Sequence, residues 1–295
     1  MTDRDFSRSR AVLVGTADHR YLRAVPAAAN SLRRMADVLT GDRCGWPRDH
    51  VEVYEDWPQP ADLPHRLVEH FADATDVALF YFVGHGQVDP RDRLCLSLVE
   101  SRTESSLRWT SSLAFDAVRN ALELSKAKTK IVILDCCHAG LAAQDVVSMA
   151  KGAGAYIIAA AGEYARAWYE TDAGPFAQTY FTKYLTDTID SGVVDAGPEL
   201  TLEEIFRTAA AAMQRDGMPA PASGAVGQAS RLVFAGNSSI GASPTYRIVG
   251  HPVLGAYLRW LAETHVYAKA DIAGEPVHGP LADLPWTGID RKSVV

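Results

Sequence analysis

Residues 131–140 read IVILDCCHAG, an unbroken apolar run that stops on an acid, two thiols and an imidazole. A second run, VALFYFVGHGQ at 77–87, has the same form and ends in Gly84-His85-Gly86. Apolar runs without polar alternation suit strands covered on both faces, and in open α/β sheets the carboxyl ends of such strands are where ligands bind. The two stretches predict two buried strands of one sheet, one ending beside a nucleophile and the other beside a base.

Working outward, further strands are expected at 11–15, 51–54, 155–161 and 231–235. Helices are expected between them, at 28–39, 63–71 and 110–124, from Pro175 and from Thr201. In the first helix Leu32, Met35, Ala36 and Leu39 recur at i, i+3, i+4 and i+7. Pro175 suits the first position of a helix, and Thr201 with Glu204 has capping-box spacing ahead of the stripe Leu202, Ile205, Phe206 and Ala209. The rest reads as connections: a turn-like Thr-Ala-Asp-His at 16–19, a charged excursion at 89–109 on the ligand side, a small-residue loop at 141–154 and a Gly/Pro/Ala-rich loop at 217–227. This alternation predicts an α/β fold with a mostly parallel sheet between helices. The main domain is expected over 1–236. Residues 237–295 read as a polar linker and a helical or irregular extension, with Leu254, Tyr257, Leu258 and Leu261 on one stripe.

With 295 residues, 47% of them hydrophobic, the chain can bury a full core. Its net charge is −7 and its Lys and Arg residues are scattered, which argues against nucleic acid or an anionic membrane as the main partner. Neither a signal peptide nor a long apolar span is visible, so a cytoplasmic location is expected. Cys44 and Cys95 lack a spacing signature, and the adjacent Cys136 and Cys137 are poorly placed to bond each other.

A cysteine nucleophile acts as its thiolate, and a histidine within hydrogen-bond reach both lowers the thiol pKa and supplies a proton to the leaving group. His85 and Cys137 meet that demand if their strands are neighbours. Strand alternation turns Cys136 to the opposite side, into the core, and His138 is expected to cap the following turn. Structural zinc draws on paired, spaced ligands, and no second CxxC or HxxxH is present, so no metal site is assigned. His65 and His70, five residues apart, do not share a helix face and read as solvated. Glu163, just past a strand end, is a candidate for lining the cleft.

Gly84-His85-Gly86 after one apolar strand and Asp135-Cys136-Cys137-His138-Ala139-Gly140 after another resemble the motifs of the caspase and metacaspase superfamily of cysteine peptidases, in particular bacterial caspase-like proteins. The likeness covers about residues 8–236. Caspases place the histidine about fifty residues before the cysteine; here the separation is 52. The resemblance implies a three-layer α/β/α fold with a six-stranded sheet and a cysteine endopeptidase with a Cys-His dyad. Cys137 would be the nucleophile and His85 the general acid and base. The backbone N–H groups of Gly86 and Cys137 would form the oxyanion hole, aimed at charge that develops only in the transition state.

Metacaspases bind Arg or Lys in an acidic S1 pocket to which the Asp two residues before the nucleophile contributes, and Asp135 occupies that position. Two departures stand out. Asn30-Ser31 replaces an Asn-Asp at the start of the first helix, and Val83 replaces a frequent Ser before the histidine. Ser31 and Val83 are thus expected pocket positions, with one carboxylate missing and a more apolar wall. A basic P1 residue is favoured, and a small or apolar one stays open. Calcium activation, known in some metacaspases, is left open at Asp89, Asp92 and 170–172; no other cofactor is expected. The partners implied are protein or peptide substrates and a regulatory protein or a second copy, docked or held off by the extension, as in a regulated protease of bacterial signalling or defence. A scaffold that keeps the fold without catalysis is the alternative.

Overall fold

The computed structural model describes residues 5–150, 153–160, 169–170 and 174–239, and the backbone of three strands at 245–248, 269–272 and 275–278. The chain divides into two compact units, Met1–Asn237 and Ser238–Val295.

The first unit is a three-layer α/β structure. Its main sheet has six strands: β1 (Arg10–Gly15), β2 (Val51–Glu55), β3 (Val77–Val83), β7 (Thr129–Asp135), β8 (Gly154–Ala159) and β10 (Ala222–Val226). Their order is β10-β8-β7-β3-β1-β2, all parallel except β10, which runs antiparallel to β8. Every residue of β3 is buried, and so is all of β7 beyond Thr129, as expected for strands covered on both faces.

Alternation divides their side chains between two cores. Leu79, Tyr81, Val83, Ile131 and Ile133 pack with α1 (Pro26–Thr40), α6 (Tyr180–Ser191) and α7 (Leu202–Arg215). Phe80, Phe82, Val132, Leu134 and Cys136 pack with α2 (Leu63–Ala72), α4 (Phe115–Leu124) and α5 (Val146–Met149). The chain runs from β1 outward to β2, returns across β1 to β3, and continues through β7 and β8. Its direction thus reverses between β1 and β3, which opens a crevice at the carboxyl ends of the strands there.

The 89–109 excursion is a small antiparallel sheet of β4 (Gly86–Val88), β5 (Leu94–Leu96) and β6 (Leu113–Ala114), with the single turn α3 (Arg108–Ser111) ahead of β6. The helix expected from residue 110 therefore starts at Phe115. The capping box of α7 is present: Thr201 Oγ1 accepts from Glu204 N at 3.2 Å, and Glu204 Oε2 accepts from Thr201 N at 2.8 Å.

Further expectations need correction. The sixth strand is β10, inside the presumed 217–227 loop, while residues 233–236 form β11 (Val233–Gly236), paired with β9 (Glu199–Thr201) away from the main sheet. β10 is built of small residues with little strand preference, and its conformation is set by pairing with β8. The 141–154 segment is not an open loop: a 3-10 turn at Ala139–Asp145 and α5 bury Ala142, Val146 and Met149, and Asp145 pairs with Arg119 at 2.8 Å. Pro175 lies in a separate 3-10 turn, and α6 begins at Tyr180 with Thr179 as N-cap. His70 is 14% exposed and paired with Glu52, and burial lowers its pKa despite that carboxylate; His65, 73% exposed beside Glu69, is solvated.

In the second unit β12 (Thr245–Ile248) pairs parallel with β13 (Lys269–Ile272), which pairs antiparallel with β14 (Glu275–His278). Its described part is β where a helical or irregular extension is expected; the stripe from Leu254 to Leu261 lies outside the described residues. Among the described residues no helix is long and apolar enough to cross a membrane.

Candidate active site

β3 and β7 are direct neighbours in a register that sets Val83 opposite Asp135. His85 and Cys137 each lie two residues beyond that pair, so the two side chains leave adjacent strand ends. Gly84 crosses the gap: its N–H donates to the Asp135 carbonyl at 3.2 Å, and its φ of +151° is one that residues with a Cβ rarely adopt. Gly86 comes closer still. A Cβ there would stand 2.0 Å from the Cys137 carbonyl oxygen and 3.0 Å from Cys136 Sγ, so only glycine fits where the two loops touch.

His85 is half-buried, and its Nε2 lies 2.8 Å from the Arg23 carbonyl oxygen. A carbonyl only accepts, so Nε2 carries the proton and the neutral ring keeps its lone pair on Nδ1. Cys137 is half-buried and Cys136 wholly buried, with burial pushing the Cys136 thiol far up and away from thiolate chemistry. His138 takes the left-handed conformation, φ 60°, and starts the 3-10 turn that follows Cys137.

Asp135 is 1% exposed, on the α1/α6 side of the sheet. Its Oδ2 accepts from Thr179 Oγ1 at 2.5 Å, from Thr182 Oγ1 at 2.6 Å and from Thr182 N at 3.0 Å. The Thr182 N–H is an orphan donor of the first turn of α6, so a carboxylate from the sheet serves as a cap for that helix. Ser31, also buried, is 2.8 Å from Thr179 Oγ1 and accepts from Thr179 N at 2.9 Å; Tyr81 OH meets Thr182 Oγ1 at 2.7 Å. Oδ1 of Asp135 is buried and has no partner among the described residues. Desolvation raises the pKa of this carboxyl, against the hydrogen bonds of Thr179 and Thr182.

Of the expected pocket residues, Ser31 and Asp135 thus meet in one network. Val83 is wholly inside the core and has no surface to offer a substrate, a correction that follows from its place on a strand covered on both faces. Glu163 lies outside the described residues, as does Asp172.

Arg23, whose carbonyl meets His85, also lines a cavity of about 440 Å³ between the start of α1 and residues 169–170 and 174–177, with Ala24, Pro26, Tyr169, Glu170 and Ala177 among its other lining residues. Asn30 Nδ2 donates to the Ala177 carbonyl at 2.8 Å, and Tyr169 pairs with Thr179, so this wall is anchored to both α1 and the Asp135 network. In the sequence Glu170 is marked only by the charged cluster at 170–172. Its Oε2 accepts from Gln178 N at 3.0 Å, and Oε1 is 3.8 Å from Lys183 Nζ.

Asp89 does not fit calcium. Its carboxylate accepts from the N–H groups of Arg91 and Arg93 and from the Arg93 guanidinium, at 2.6 to 2.9 Å. Among the described residues no three His, Cys, Asp or Glu side chains are grouped to hold a metal ion.

The Caspase domain family matches residues 8–229. Among solved structures the chain is similar to caspase-1 from Spodoptera frugiperda, with a TM-score of 0.53 and 13% sequence identity over 79% of this chain and 91% of that one. At that identity the likeness bears on the fold alone. No curated protein sequence matches the chain.

Two outcomes follow from the geometry. Gly86→Ala sets a methyl group against the Cys137 carbonyl and is expected to destabilise the fold by about 1–3 kcal/mol in urea unfolding, the usual cost of overpacking; wild-type stability in that variant would contradict the close approach. Asp135 has a raised folded-state pKa, so its stabilising contribution is complete below the ordinary carboxyl value and declines as pH rises toward the folded value. Urea unfolding from about pH 4 to 7 should therefore show Asp135→Asn gaining on the wild type as pH rises. A difference that is flat with pH contradicts the raised value.

Proposed function

The chain belongs to the caspase-domain family of cysteine peptidases, and on that footing we propose that it is an endopeptidase with Cys137 as nucleophile and His85 as general acid and base. The observation that carries this reading is the β3/β7 register, which sets the loops of the two residues side by side with Gly86 against the Cys137 carbonyl.

The cycle uses groups already described. His85 Nδ1 takes the thiol proton as Cys137 Sγ bonds to the scissile carbonyl carbon, while Nε2–H stays on the Arg23 carbonyl and steadies the imidazolium. The N–H groups of Gly86 and Cys137 receive the oxyanion. His85 then gives its proton to the amine as the C–N bond breaks, leaving a thioester on Cys137. A water molecule, deprotonated by His85, attacks the thioester; the C–S bond breaks, the peptide acid leaves and the thiol is restored.

For specificity we favour Arg or Lys at P1. Two carboxylates support this: Glu170, which lines the cavity that Arg23 also lines, and Asp135, whose Oδ1 has no partner among the described residues. Arg23 on the same cavity works the other way, and it makes a small or apolar P1 the second reading. The wider role proposed is that of a regulated protease in a bacterial signalling or defence pathway, with residues 238–295 as the part that meets a regulatory partner.

Cleavage of a positional peptide library tests the reading. Arg and Lys at P1 are expected to dominate, with turnover abolished by Cys137→Ala and His85→Ala and kept by Cys136→Ala. Activity that survives Cys137→Ala and vanishes in Cys136→Ala reassigns the nucleophile. A dominant acidic P1 overturns the specificity, and no cleavage of any member favours the scaffold.

A further inference from the structure

We infer that His19 is a positioning residue for His85: the loop between β1 and α1 carries a second imidazole that walls the His85 ring and keeps its Nε2–H on the Arg23 carbonyl. The inference rests on the role proposed for His85.

The two rings have centroids 5.0 Å apart and planes 48° apart. Their meeting follows from the reversal of chain direction between β1 and β3, because the loops leaving those two neighbouring strands share the crevice. Thr16 N donates to the Val83 carbonyl at 3.0 Å and Val25 N to the Ala17 carbonyl at 2.8 Å, so the loop folds back over the end of β3. Arg23, whose carbonyl holds one edge of the His85 ring, belongs to the same loop as His19.

That loop is pinned on both flanks. On the β2 side Asp56 Oδ1 accepts from Ala17 N at 2.8 Å and from Asp18 N at 3.1 Å, and Asp56 N donates to the Gly15 carbonyl at 2.9 Å. On the β5 side His19 Nδ1 donates to the Leu98 carbonyl at 3.2 Å, and Arg20 N donates to the Val99 carbonyl at 3.0 Å. The His19 ring is thus held from its own nitrogen and from its backbone.

The second ring also stays uncharged while His85 cycles. Burial lowers the His19 pKa to about 4, and the neighbouring His85 charge adds to this; the Asp56 carboxylate and the carbonyls of Leu98 and Thr16 oppose it. An imidazolium formed on His85 therefore faces a neutral wall rather than a second cation.

The test reads the rate at which iodoacetamide alkylates Cys137, located by peptide mass spectrometry across about pH 5 to 9. It needs no knowledge of the substrate. His85→Ala should lose the enhanced reactivity. His19→Ala should slow alkylation by about tenfold on the acid side and move the profile toward higher pH, a misplaced-base effect, whereas His19→Phe, which keeps a ring, should stay close to wild type. A His19→Ala profile matching wild type while His85→Ala is impaired overturns the positioning role alone. Wild type and His85→Ala reacting alike overturns both this role and the peptidase reading. If His19→Ala does not fold, His19→Gln against His19→Phe decides: Gln should be slow and Phe fast, and equal rates overturn the inference.

Discussion

The structure depends on the register between β3 and β7, two strands with no solvent-facing side. Side chains alternate between the α1/α6/α7 core and the α2/α4/α5 core, so a slip of one residue would exchange every contact on one strand. In the observed register Asp135 faces α6, Cys136 fills the opposite core, and Cys137 is the first residue beyond the sheet free to reach a neighbour. The different surroundings of two adjacent thiols, one buried and one half-buried, are therefore a consequence of strand packing. The same register brings Gly86 against the Cys137 carbonyl, where no side chain fits.

Asp135 shows how one buried acid joins layers. Its Oδ2 meets both threonines at the start of α6, and through Thr179 it is linked to Ser31 on α1. A carboxylate so enclosed is expensive unless well bonded, and here only one oxygen is satisfied among the described residues. The raised pKa expresses that imbalance.

Much of this was legible in the chain. The two apolar runs announced buried strands because nothing polar interrupts them, Cys136 turned inward by simple alternation, and the Thr201/Glu204 spacing marked the start of α7. What escaped reading depends on contacts between distant segments. β10 is small residues bounded by Pro and Gly, and only pairing with β8 makes it a strand. The start of α6 moves from Pro175 to Tyr180 because Thr179 is held by Ser31 and Asp135, some 148 and 44 residues away. His19 carried no local signal: a lone histidine in a turn gains meaning only once β1 and β3 are known to be neighbours. His70 looked solvated on its helix, yet β2 covers it through Glu52.

The pairing of His85 with Cys137 is the central claim, and covalent capture tests it most directly. The protein, treated with an arginyl-peptide acyloxymethyl ketone and analysed by intact mass and peptide mapping, should gain one adduct, on Cys137, and none in His85→Ala. An adduct on Cys136, or on Cys137 irrespective of His85, would contradict it.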